Sequence, residues 1–142
     1  MRRYWRLLAA ISVVLLAVIG IHNLREKRAQ AKRDAAYQMT LHSYSATLKP
    51  GMTRKEVEDY FHANGIVFRQ MCCVDCKSSK WVWDDLAKIA QEDAPWFCSE
   101  KNIYIAFQFA GLRSPDRATG WDAEASDKLT AVSLYPWLEG CL

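Results

Sequence analysis

The sequence predicts an α+β protein: an N-terminal transmembrane helix and helical stalk, then short helices packed on a small antiparallel sheet of about three strands. Three observations carry that expectation. An uncharged apolar run, Leu7 to Ile21, lies near the start of the chain. A capped amphipathic helix follows Pro50-Gly51. Two later segments, Asn102–Phe109 and Leu129–Tyr135, alternate apolar and polar residues. The 142 residues, 51% of them apolar, suit one domain plus an extra segment and exclude a disordered tail. The expected division is an anchor at 1–24, a stalk at 25–48 and an α+β domain at 49–142.

The apolar run reads LLAAISVVLLAVIGI, fifteen residues with Ser12 its one polar side chain. As a helix it reaches roughly 22 Å, short of a hydrocarbon core of about 30 Å. Tyr4 and Trp5 at the lipid boundary, with Arg6 and Arg25 snorkelling outward, extend it. Met1–Arg6 is a basic leader, so the segment has the form of a signal sequence. Small residues suited to cleavage are poorly placed, with Val18 and Gly20 near the run's end. An uncleaved signal anchor, contacting lipid through residues 4–24, is therefore preferred to a cleaved peptide or a buried core helix.

The net charge of +3 hides an asymmetry. Residues 1–33 hold eight Lys/Arg against Glu26, whereas the remaining 109 hold eleven basic and fifteen acidic residues. Asn23–Leu48 lacks Gly and Pro and is rich in Ala, Arg, Lys and Gln, a helical stalk. Its basic residues have no interleaved aromatics for base stacking, so no nucleic-acid partner is expected. All five Cys lie beyond residue 70, a density that points to an oxidising compartment. The expectation is a single-pass inner-membrane protein with its C-terminal domain in the periplasm.

Lys49-Pro50-Gly51 breaks the stalk. In Met52-Thr53-Arg54-Lys55-Glu56-Val57, Thr53 and Glu56 have capping-box spacing, and Met52 and Val57 that of a hydrophobic staple. Val57, Tyr60 and Phe61 form an apolar stripe, and Asn64-Gly65 is a left-handed stop. Ile66–Cys73 suggests a strand. Asp84–Glu92 suggests a short helix with Leu86, Ile89 and Ala90 on one face. Ala110–Asp127 resembles a long loop.

Cys72, Cys73, Cys76, Cys98 and Cys141 are the disulfide candidates. If Asn102–Phe109 and Leu129–Tyr135 pair antiparallel, matching their apolar faces sets Ile105 opposite Leu134 and Phe107 opposite Val132. The same register brings Cys98 opposite Cys141, the preferred bridge. If Ile66–Cys73 joins as the neighbouring strand, all five Cys converge on one end of the sheet. Two disulfides leave one thiol over, and spacing alone does not select among the patterns. The alternative is a CxxC function at Cys73 and Cys76, either metal binding or thiol redox chemistry. A second CxxC or a His pair for zinc is missing, and CVDC precedes a loop-like run rather than a helix. No metal or other cofactor is therefore expected.

Catalytic signatures are scarce: GxSxG, HExxH, P-loop and dinucleotide-binding patterns are all absent. His62 could serve a Cys nucleophile, and Asp84, Asp85, Glu92 and Asp93 could form a carboxylate site. A solvated helix face explains both more simply. Trp81, Trp83, Trp96, Trp121 and Trp137 read mainly as core. Trp121, in the long loop, is the possible interface anchor.

Leu48-Lys49-Pro50-Gly51-Met52-Thr53-Arg54-Lys55-Glu56-Val57 resembles the SmpA/OmlA (BamE) family, whose domain opens with a similar Gly-Met-Thr-x-x-x-Val run starting a helix. The resemblance covers about residues 48–135 in element order. It implies the β-lactamase-inhibitor-protein-like fold, two short helices ahead of a three-stranded antiparallel sheet, working as a protein-binding module. Those family members carry a lipid-modified Cys after the signal peptide, whereas this chain has none before Cys72. What carries over is the fold and protein binding. The expected function is a membrane-anchored envelope protein with a disulfide-stabilised protein-binding domain and no evident catalysis.

Overall fold

The structure, a computed structural model, describes residues 2–72, 83–111 and 123–142. Its elements are α1 (Arg2–Thr47), α2 (Arg54–Ala63), β1 (Phe68–Cys72), β2 (Trp83–Glu92), β3 (Glu100–Ala110) and β4 (Lys128–Glu139). The chain divides into two compact units, Met1–Ala36 and Tyr37–Leu142.

The first unit is helical from Arg2 onward. One-turn pairs support it: His22 lies 3.0 Å from Glu26, and the Gln30 side-chain amide donates to Asp34 at 2.8 Å. Among the described residues, no helix is long and apolar enough to cross a membrane. That corrects the transmembrane anchor and the inner-membrane, periplasm-facing localisation built on it. The reason is length against polarity. The apolar run stops after fifteen residues, and α1 continues through His22, Asn23, Arg25 and Glu26. The added helix is polar.

In the second unit, the last turns of α1 present Leu41 and Tyr44 to the core, and Leu48, just past the helix end, is buried in it. Gly51, with φ 95°, turns the chain where other residues would be strained. The Glu56 N–H then donates to Thr53 Oγ1 at 3.2 Å, and the Thr53 N–H donates to Glu56 Oε2 at 2.6 Å. This capping box satisfies two orphan groups and starts α2. Asn64 and Gly65 (φ 64°) end it as expected. Val57 and Phe61 are fully buried against the sheet, and Phe61 meets Phe107 with ring centroids 4.7 Å apart.

The sheet is an antiparallel meander of four strands in the order β1-β2-β3-β4. Ala87, Ile105, Phe107, Phe109 and Leu129 face α2, while Leu86, Tyr104 and Ala106 form a second cluster with Met71, Tyr135 and Trp137. About three strands were expected, and the fourth is Trp83–Glu92 where a helix was expected. That segment is rich in helix formers, and Leu86, Ile89 and Ala90 have one-turn spacing. Its position overrides its propensity, because β2 is central and Asp84–Ala87 are buried on both faces. A strand covered on both sides loses the alternation by which strands are recognised.

Candidate functional site

The β3–β4 ladder sets Ile105 opposite Leu134 and Phe107 opposite Val132, the register that the apolar faces require, and runs on to Glu100 opposite Glu139. Two residues beyond its end on each strand, Cys98 and Cys141 are bonded (S–S 2.07 Å). Gly140 makes this closure sterically possible. Its φ of 60° is left-handed, and a Cβ there would run into Ser99 Oγ. The Ser99 N–H and hydroxyl both donate to the Glu139 carbonyl, at 3.0 and 2.9 Å. The Leu142 N–H donates to the Phe97 carbonyl and the Cys98 N–H to that of Pro95, each at 2.9 Å. The β2–β3 connection and the C-terminus thus form one fastened loop.

The fastened end displays aromatic surface. Trp96 is 92% exposed, and Phe97, Leu138 and Leu142 are exposed beside it. The Trp96 and Phe97 rings meet edge to face, 5.8 Å between centroids. A hollow of about 550 Å³ is lined by Asp93, Ala94, Pro95, Lys101, Pro136 and Leu138. Lys101 Nζ pairs with Glu92 at 2.8 Å. An exposed aromatic side chain thus stands beside a mainly apolar hollow, on a loop held by a disulfide and backbone hydrogen bonds.

No family model, curated protein or solved structure matches the chain.

A second polar assembly lies at the other end of the sheet, and it is internal. Arg54, in the first turn of α2, donates to the Asp85 carboxylate and the Trp83 carbonyl, and lies 3.4 Å from Asp127 Oδ2. Its guanidinium sits 3.9 Å above the Phe109 ring. Arg54, Asp85 and Asp127 are at most 1% exposed. Burial pushes the Asp85 carboxyl up to about 7, and the Arg54 charge only partly restrains it. Asp84 accepts from the Phe109 N–H at 3.2 Å, and the Arg54 N–H donates to the Asp127 carbonyl at 2.7 Å. One arginine therefore ties α2, β2 and the approach to β4 together. Sealed from solvent, these groups hold structure rather than meet a substrate.

On the outer sheet face Arg69 stacks on Tyr104 and Trp137, at 4.6 and 4.5 Å, and pairs with Glu139 at 2.8 Å. That bond, with others from Asn102 and Tyr104, holds the Glu139 carboxyl below the usual glutamate range. Burial raises the Tyr104 phenol.

The structure separates what the sequence grouped. Cys72 pairs with Trp83, at the end of the sheet remote from Cys98 and Cys141. For Cys72 the expected convergence is thereby corrected: the unforeseen β2 reverses the chain once more and carries the end of β1 away. Cys73, Cys76, Trp81 and Trp121 lie outside the described residues, and with them the CxxC motif. Among the described residues, no group of three His, Cys, Asp or Glu could hold a metal. Asp84 and Asp85 lie near the start of β2, whereas Glu92 is its last residue and Asp93 follows it, so the four carboxylates do not converge. His62 is exposed against the Phe68 ring, 5.9 Å between centroids. Sequence reasoning missed Arg54 and Trp96. Trp96 does carry a local signal, since Pro95-Trp96-Phe97-Cys98 places two aromatics between a turn former and a candidate bridge.

Proposed function

We propose that residues 37–142 form a protein-binding domain that engages its partner through the face carrying Trp96. The observation behind this reading is an indole 92% exposed on a loop fastened by Cys98–Cys141. An isolated surface Trp needs no explanation, but this one has Phe97, Leu138, Leu142 and a lined hollow around it. The fastening lowers the entropy lost on binding, because the loop is ordered beforehand. The similarity of Leu48–Val57 to a family of protein-binding modules points the same way. Catalysis has less support, since the buried carboxylates Asp85 and Asp127 are committed to Arg54 and shut off from solvent.

A photo-activatable cross-linker placed at position 96 tests the reading in cells, with the same group at the exposed Thr130 as control. A discrete protein adduct from position 96, absent from position 130, is the expected result. The same diffuse background from both positions overturns the reading.

A further inference from the structure

We propose that Cys98–Cys141 is a redox-sensitive clasp: a dithiol reductant opens it in the folded domain, and the loop of residues 93–98 then swings off β4. The inference concerns the chain itself and goes beyond the protein-binding reading, which can fail without touching it.

This loop belongs to the connection between the antiparallel neighbours β2 and β3, whose pairing ends at Glu92 opposite Lys101. Strand pairing alone does not carry it across β3 to β4. It reaches β4 nonetheless, since Asp93, Ala94 and Pro95 line the hollow together with Pro136 and Leu138 of β4. Two ties draw it there: the disulfide at Cys98, and the Leu142 N–H on the Phe97 carbonyl at 2.9 Å. Leu142 adjoins Cys141, so the disulfide also keeps that donor in place.

Opening stops short of the sheet. The Glu139 carboxylate accepts from Arg69, Asn102 and Tyr104 at 2.8, 3.1 and 3.2 Å, which anchors β4 to its last residue. Both Ser99 donors also rest on the Glu139 carbonyl, so the loop pivots there. Residues 140–142 pivot about Gly140, which has no Cβ to restrict new backbone angles. The core cluster around Phe61 and Phe107 includes neither cysteine.

Cys141 is exposed and Cys98 half-buried, so the approach is to Cys141. A thiolate of the dithiol attacks the Cys141 sulfur, forming a mixed disulfide and expelling Cys98 as a thiolate, which takes a proton from water. The second thiolate of the reductant attacks its own sulfur in that mixed disulfide, releasing Cys141, which is protonated in turn. The dithiol loses two electrons and becomes a disulfide, and the protein gains two thiols.

Nuclear magnetic resonance relaxation of the full purified chain, before and after dithiothreitol without denaturant, tests the proposal, with alkylation and peptide mapping to show which cysteines open. Cys98 and Cys141 should both become alkylated. The amide order parameters of Ala94, Trp96, Phe97 and Cys98 should fall from about 0.85 to below about 0.6, while those of Ile103–Phe107 stay near the rigid value. Glutathione disulfide should restore the loop. With Cys98→Ser and Cys141→Ser combined, the loop should be mobile from the start and indifferent to dithiothreitol. A bond that resists dithiothreitol until urea unfolds the chain is a structural staple and overturns the proposal. So does a loop that is mobile while bonded or rigid once opened, or a sheet that loosens with it. A response to dithiothreitol that persists in the double variant belongs to other cysteines and overturns it as well.

Discussion

Arg54 and Asp85 meet inside the domain with neither side chain more than 1% exposed. A buried pair of this kind adds little net stability when intact, because both charges have left water. Breaking it is another matter, since the remaining charge has no counter-ion. Replacing Arg54 with Met strands Asp85 and Asp127 together, so a loss of about 3–5 kcal/mol is expected in urea denaturation. Asp85→Asn keeps an acceptor for Arg54 and should cost less. Equal losses from the two variants would contradict this role for the charge.

The pH dependence of stability follows from the same carboxyl, raised from 3.8 to about 7 in the folded state. Between those values the folded protein holds a proton that the unfolded chain has released. Stability from this group is therefore full below pH 3.8 and is lost as pH rises through about 7. The whole effect is on the order of 4 kcal/mol. Arg54, Glu58 and Asp84 are the charged neighbours that act on this carboxyl. Glu56 and Glu139 are shifted downward, so their contributions are lost only in more acidic solution. The urea midpoint should fall as pH rises from about 4 to about 7, the range set by Asp85, and this dependence should flatten in Asp85→Asn. An unchanged slope in the variant would refute the assignment.

The disulfide closes a loop with a sequence separation of 43 residues. On chain entropy alone, opening it should cost about 4 kcal/mol. Peptide mapping without reduction should recover Cys98 and Cys141 in one linked fragment. Cys98→Ser and Cys141→Ser should destabilise equally, and the double variant no further. Additive losses would show that the two thiols act separately.

Gly140→Ala separates two constraints on the closure. The left-handed backbone alone costs about 1–2 kcal/mol for a residue with a Cβ, and the contact with Ser99 Oγ adds to that. Ser99→Gly in the same chain should relieve the contact and leave the backbone cost. Thermal denaturation of the two variants reads the difference. A second change that restores nothing would place the whole cost in the backbone.

What was legible in the sequence is local chemistry. Thr53 and Glu56 announce a capping box by spacing, Asn64-Gly65 announces its end, and the alternation of Ile103, Ile105, Phe107 and Phe109 sets the β3–β4 register. Extended past its end, that register sets Cys98 opposite Cys141, the bridge preferred among the several that spacing left open. β2 was not legible, because Asp84-Asp85-Leu86-Ala87 is buried on both faces and shows no period. Losing it hid the fourth strand and misplaced Cys72. It also turned Asp85, an internal partner of Arg54, into a supposed surface charge. The anchor failed for a related reason, since fifteen apolar residues carry the form of a spanning helix but not its length. Trp96 was overlooked because exposure depends on what the tertiary fold leaves uncovered, which composition does not record.

Hydroxyl-radical oxidation of Trp96, read by mass spectrometry against the half-buried Trp137, tests the binding role most directly. In the purified chain at high dilution Trp96 should oxidise readily and Trp137 slowly. In intact cells Trp96 should be protected by its partner while Trp137 is unchanged, and Trp96 should be exposed again once Leu138→Arg blocks the hollow. Equal oxidation of Trp96 in cells and in dilute solution would mean that nothing covers it, and would contradict a binding face at this end of the sheet.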